Sequence, residues 1–203
     1  AYLDHTGSAL YPESLVRRHA ERLCATVLGN PHSDNPASLD STARVDAARE
    51  AVLRFFDADS DEYTVCFTAN ATAAIKLVAE SFPFRPSSRF ALSTDNHNSV
   101  NGVREYAARA GANVDYLPLD EELRLADPLR ELPVLTSAAP SLFAFPAQSN
   151  FSGVKHPLEL VEAARERGYT VLLDAAAFVP TQPLSLANVP ADFVSSLTVR
   201  AVS

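Results

Sequence analysis

The chain has 203 residues, 47% of them hydrophobic and 21% charged, enough to bury a core and unlike a disordered tail or a coiled coil. Lys and Arg number 17 against 25 Asp and Glu, a formal net charge of −8 that argues against a nucleic-acid or anionic-membrane surface, and no run of about 18 apolar residues is there to cross a bilayer. Cys24 and Cys66 are too few and too far apart for a disulfide framework or a CxxC site, which fits a reducing, cytoplasmic compartment.

There is no methionine and the first residue is Ala1, so the sequence reads as a segment or a processed chain. Pro12 to Leu28 predicts a helix, with Leu15, Val16, Ala20, Leu23, Val27 and Leu28 recurring at helical spacing and Gly29-Asn30-Pro31 as the stop. Leu39 to Phe56 predicts a second helix with Val45, Ala48, Val52, Phe55 and Phe56 on one face. From Tyr63 the pattern changes. Strands are expected at Tyr63 to Thr68, Arg89 to Ser93, Asn113 to Leu117, Ser141 to Phe145 and Tyr169 to Asp174. Helices are expected at Ala71 to Phe82, Ser99 to Ala110 and Pro157 to Arg167, with an acidic surface excursion and a short helix between Leu117 and Val134. Strands alternating with helices imply parallel βαβ units, hence an α/β three-layer αβα sandwich built on a mainly parallel sheet. The expected division is a helical segment over 1–60 packing on a core over 61–195, then a tail over 196–203.

Ligands of open α/β sheets bind outside the carboxyl ends of the strands, and the polar residues predicted there form a set. Asn70-Ala71-Thr72 is a strand-to-helix turn of small residues. Its local sequence reads first as an ordinary helix cap by Asn70 or Thr72, and it also suits a phosphate held by free amides and the Thr72 hydroxyl. Asp174 ends an apolar strand ahead of three alanines, where a carboxylate calls for a cationic partner such as a protonated pyridine nitrogen, or else caps the next turn. His97 suits ring stacking or acid–base work, or is simply solvated; Asn150 suits a donor to a phenolate oxygen, or orders a turn. Other chemistries lack their parts. The five histidines show no HxH or HExxH spacing for a metal, no GxSxG elbow is present, and no Walker or GxGxxG loop supports ATP or NAD. Cys24, in a helix, and Cys66, in an apolar strand, are both expected in the core.

Taken in order, Tyr2-Leu3-Asp4-His5, Gly29-Asn30-Pro31-His32-Ser33, the Ala71-Thr72 turn, His97, Gln148-Ser149-Asn150-Phe151-Ser152-Gly153 and Asp174-Ala175-Ala176 resemble the class V aminotransferase-like enzymes. These depend on pyridoxal 5'-phosphate (PLP) and include the cysteine desulfurases. The versions found here look most like the amino-terminal domain of the molybdenum cofactor sulfurases, a likeness that runs from about Tyr2 to Val194. Ala177 fits that subgroup, since cysteine desulfurases commonly carry Gln there.

The resemblance implies the large domain of a fold-type I PLP-dependent transferase, a cysteine substrate, a homodimer and catalytic roles for His97 and Asp174. Asn70, Ala71 and Thr72 would bind the cofactor phosphate, His97 would stack on the ring, Asn150 would lie near the phenolate oxygen, and Asp174 would pair with the ring nitrogen. It also implies a strand through Asp192-Phe193 leading to a lysine that holds the cofactor covalently. At that position the sequence has Arg200, a guanidinium that cannot take the lysine's part, and the only lysines are Lys76 and Lys155. The expectation is therefore noncovalent PLP at best, and no sulfur-transfer turnover by these residues alone.

Overall fold

The computed structural model describes residues 1–3, 10–125 and 127–196. The Asp4-His5 pair and Arg200 with the rest of the expected tail beyond Ser196 lie outside the described residues. The chain divides into two compact units, Ala1–Val65 and Cys66–Leu197.

In the first unit, α1 (Glu13–Ala25) forms at the expected place but buries none of its residues; Val16 and Leu23 are about half exposed. Helix α2 (Pro36–Phe55) begins earlier than the apolar periodicity suggests. The start is set by capping: Asn35 accepts a hydrogen bond from the Ser38 amide at 3.0 Å, and Pro36 supplies a ready-made first turn. Val52 and Phe56 are buried as expected, whereas Phe55 is exposed. Gly29 is required where the chain turns into α2, because a Cβ there would lie 2.6 Å from the Ser38 amide nitrogen.

The second unit is organised by five parallel strands, β1 (Arg89–Ser93), β2 (Asn113–Leu117), β3 (Leu142–Pro146), β4 (Thr170–Asp174) and β5 (Phe193–Ser195), in the order β2-β1-β3-β4-β5. The connection from β1 to β2 carries α4 (Asn98–Asn101) and α5 (Val103–Arg109), and that from β3 to β4 carries α7 (Leu160–Glu166). These two crossovers run in opposite directions along the sheet. The shared right-handedness of such connections therefore puts their helices on opposite faces, giving the three layers.

Alternation along the strands supplies the two inner surfaces. Phe90, Leu92, Leu142, Ala144 and Leu172 pack with Ile75 and Ala79 of α3 (Ala71–Ser81) and with Val100, Val103 and Ala107. Burying each of the larger of these side chains contributes about 1.5–3 kcal/mol. On the other face Phe143 and Phe145 stack with ring centroids 5.2 Å apart.

Three expectations are corrected. Tyr63 to Thr68 is not a strand; its β-branched and aromatic composition favours extended backbone, but a strand also needs a neighbour to complete its hydrogen bonds, and neither sheet edge takes this segment among the described residues. As a consequence Cys66 is exposed rather than core, and so is Cys24 on the uncovered α1. The helix expected from Ser99 to Ala110 is divided at Gly102, which itself keeps right-handed helical dihedrals. The excursion from Leu117 to Val134 carries its short helix, α6 (Pro128–Glu131), capped by Asp127. Among the described residues no helix is long and apolar enough to cross a membrane.

Candidate functional site

The strand order reverses between β1 and β3, the place where ligands of open α/β sheets bind outside the carboxyl ends of the strands. Asn70, Ala71 and Thr72 start α3, His97 precedes α4, Asn150 lies in the loop after β3, and Asp174 is the last residue of β4.

Asn70 does what a helix cap does. Its side-chain oxygen accepts from the Ala73 amide at 2.9 Å, and its carbonyl accepts from the Ala74 amide at 3.1 Å. The Asn70 side chain is thus committed to the helix, while the amides of Ala71 and Thr72 stand at the open, electropositive end of α3. The Thr72 hydroxyl lies 2.6 Å from Ser99 Oγ, which lies 2.9 Å from His97 Nδ1. The Ser99 amide also meets His97 Nδ1, at 3.2 Å, marking that nitrogen as an acceptor and leaving the proton of the neutral ring on Nε2.

Asp174 is 8% exposed. One oxygen accepts from the Ala176 amide at 3.1 Å, and no lysine or arginine among the described residues bonds to it. Burial pushes its carboxyl above the ordinary range; the Ala176 amide and the nearby His97 counteract this only in part. The structure therefore brings Thr72, His97 and Asp174 to one place, with an anion-attracting helix end on one side and a cation-seeking carboxylate on the other. Asn150 is exposed in its turn, and among the described residues no hydrogen bond joins its side chain to that group.

Three contributors have no counterpart in the sequence reading. Ser99, which links Thr72 to His97, is unremarkable as the first turn of a helix. Asp95 and His156, 61 residues apart, form a buried pair at 2.8 Å. Only the placement of Asp95 two residues before His97, and of His156 just after the Asn150 loop, pointed toward them.

Comparison with known proteins identifies the family. The family model for aminotransferase class V matches residues 1–197. The chain belongs to that family. Among curated relatives it is similar to the molybdenum cofactor sulfurase of Danio rerio, 40% identical over 95% of this chain and 25% of the relative. It is likewise similar to that of Aspergillus fumigatus, 41% identical over 94% and 23%. Among solved structures it is similar to the cysteine desulfurase CsdA of Escherichia coli, with a TM-score of 0.78 at 28% identity over 95% of this chain and 49% of that one. The cysteine desulfurase of Thermococcus onnurineus NA1 shares the fold, with a TM-score of 0.84 at 24% identity, covering 95% and 48%. This class V family chain thus has the fold-type I architecture of the cysteine desulfurases, and spans about a quarter of the length of those curated relatives and about half that of those structures.

Proposed function

We propose that the chain is the cofactor-binding part of a PLP-dependent sulfur transferase of the cysteine desulfurase and molybdenum cofactor sulfurase type. Asp174 is the observation that carries this reading: a buried carboxylate at the end of a central strand, beside His97, with a single amide donor and no cationic side chain bonded to it among the described residues. Such a group is unfavourable as it stands and is made favourable by a bound cation. The open end of α3 supplies the complementary feature, an anion site for a phosphate.

In this reading the amides of Ala71 and Thr72 and the Thr72 hydroxyl bind the phosphate, and Asn70 preserves the helix end that presents them. His97, fixed through Ser99, would hold the ring, and Asn150 would donate to its phenolate oxygen. Asp174 keeps the ring nitrogen protonated. The bound cofactor supplies an electron-poor ring that stabilises negative charge at the substrate's α-carbon. The substrate is cysteine, by likeness to the cysteine desulfurases, and homodimerisation belongs to the same reading.

A second reading, a noncatalytic PLP-binding module, has a specific observation in its favour. Lys76 sits on α3 in an exposed ion pair with Glu80 at 2.6 Å, and Lys155 lies in an isolated bridge with Gln148. Neither stands at the family's lysine position, so these residues hold PLP without a covalent bond. The test is titration of the chain with PLP, followed by its near-visible absorbance and circular dichroism, and then borohydride. The expected result is saturable binding that borohydride does not fix and that Asp174→Ala abolishes. Failure of the chain to bind PLP overturns the cofactor reading; PLP-dependent sulfide or alanine release from cysteine overturns the noncatalytic one.

A further inference from the structure

Beneath the rim lies a buried polar set used by none of the roles above. Asp95 Oδ2 and His156 Nε2 meet at 2.8 Å, with 4% and 0% of their side chains exposed. Because a carboxylate only accepts, Nε2 carries the proton and donates. Burial by itself drives the Asp95 carboxyl upward, but the bond and attraction of His156, with the favourable influence of the Ser93 and Ser149 hydroxyls, outweigh it and hold it below the usual range.

The pair stands between the two loops that flank the switch point. On one side, Asn96 is 6% exposed, and its side-chain amide donates to the Ser93 carbonyl, the Ser93 hydroxyl and the Ala144 carbonyl at 2.9, 3.0 and 3.1 Å. His97 is the next residue, so its backbone leaves from a doubly anchored point. On the other side, the loop carrying Asn150 is closed on itself. The Ser149 amide donates to the Val154 carbonyl at 2.8 Å, the Gly153 amide to the Ser149 carbonyl at 3.0 Å, and the His156 amide to the Ala147 carbonyl at 3.1 Å. Gly153, at φ +75°, makes the tight return in this loop. Among the described hydrogen bonds, the Asp95 carboxylate is where side chains of the two loops meet. A small closed loop joined to its neighbour mainly at one point moves as a body when that point is released.

We infer that Asp95 and His156 are positioning residues that fix the Asn150 loop against the His97 loop. They thereby set the geometry between the ring-stacking and phenolate-binding sides of the site, a consequence that rests on the PLP reading. The test compares wild type with His156→Phe, which keeps a ring and removes the donor, and with His156→Gln, whose amide restores a donor. Amide hydrogen exchange is read on the folded chain, and PLP titration is read by affinity and by the dichroism of the bound ring.

In His156→Phe, amides of 148–155 are expected to lose more protection than those of β4, whose protection falls only with global stability. PLP affinity is expected to fall on the order of tenfold, with an altered dichroic band, and His156→Gln to recover both. Wild-type protection of 148–155 in His156→Phe overturns the inference. So does a uniform loss of protection without excess in that loop, which marks an ordinary core contact. A wild-type chain that binds no PLP overturns the cofactor reading, and exchange alone then decides the clamp. Should His156→Phe not fold, Asp95→Asn, which keeps the shape and removes the charge, is held to the same two readouts and the same outcomes.

Discussion

Two buried carboxylates stand at the carboxyl end of one sheet and differ in sign. Asp95, in the loop after β1, is bonded to His156, and this bond with the influence of Ser93 and Ser149 holds its carboxyl below the ordinary range. Asp174, at the end of β4, has one amide and the attraction of the nearby His97 and is pushed above it. Burial alone therefore does not mark a ligand site. What distinguishes the two is the donor: Asp95 is bonded to the His156 side chain, whereas among the described residues Asp174 accepts from a single backbone amide and no lysine or arginine bonds to it.

The largest effect that separates them is on stability. His156→Phe leaves the Asp95 charge buried and unpaired and is expected to destabilise the fold by about 3–5 kcal/mol, read as a lower urea midpoint at unchanged slope. Asp174→Asn removes a charge that has no counter-ion, so it is expected to leave the midpoint unchanged or raise stability by about 0.5–2 kcal/mol. The same substitution should weaken PLP binding by roughly tenfold to a hundredfold, the worth of one hydrogen bond to a charged group. A destabilisation by Asp174→Asn as large as that by His156→Phe would erase the contrast.

Acid titration sharpens it further. A carboxyl depressed in the folded state contributes stability above its unfolded value and loses it as pH falls through the folded value. One raised in the folded state contributes fully below the unfolded value and loses that contribution as pH rises through the folded value. Melting temperature against pH should therefore show Asp95→Asn below wild type at neutral pH and Asp174→Asn at or above it. Both differences should shrink toward zero in acid, where the native carboxyls are protonated. Curves that diverge in acid, or that share a sign at neutral pH, contradict the assignment.

What the sequence made legible follows from which interactions are local. Arg89–Ser93 and Asn113–Leu117 are found as expected, because a short apolar run between turn signals carries its own boundaries. His97 follows β1 and Asp174 ends β4 as expected, because strand ends in a parallel sheet are known places, whereas Thr72 starts α3 after a segment that is not a strand. Tyr63 to Thr68 misled because strand pairing is not a property of the segment alone, and Cys66 was misplaced with it. Helix α2 starts at Pro36 because the cap at Asn35 outranks the first apolar residue. The Asp95–His156 pair joins positions 61 apart and leaves no periodicity to detect.

The smallest expected effect tests the other end of the site. Asn70→Ala removes the acceptor of the Ala73 amide and should cost about 1 kcal/mol, an ordinary cap loss. Asn70→Asp separates capping from ligand binding: the aspartate keeps the acceptor and favours the positive end of α3, so stability is retained. The added negative charge, however, stands beside the amides of Ala71 and Thr72 and repels a phosphate there. PLP affinity is therefore expected to fall in Asn70→Asp while pyridoxal, which lacks the phosphate, binds as it does to wild type. If the two ligands respond alike, the anion does not sit on α3, and the phosphate end of the proposed site must be sought elsewhere along the rim.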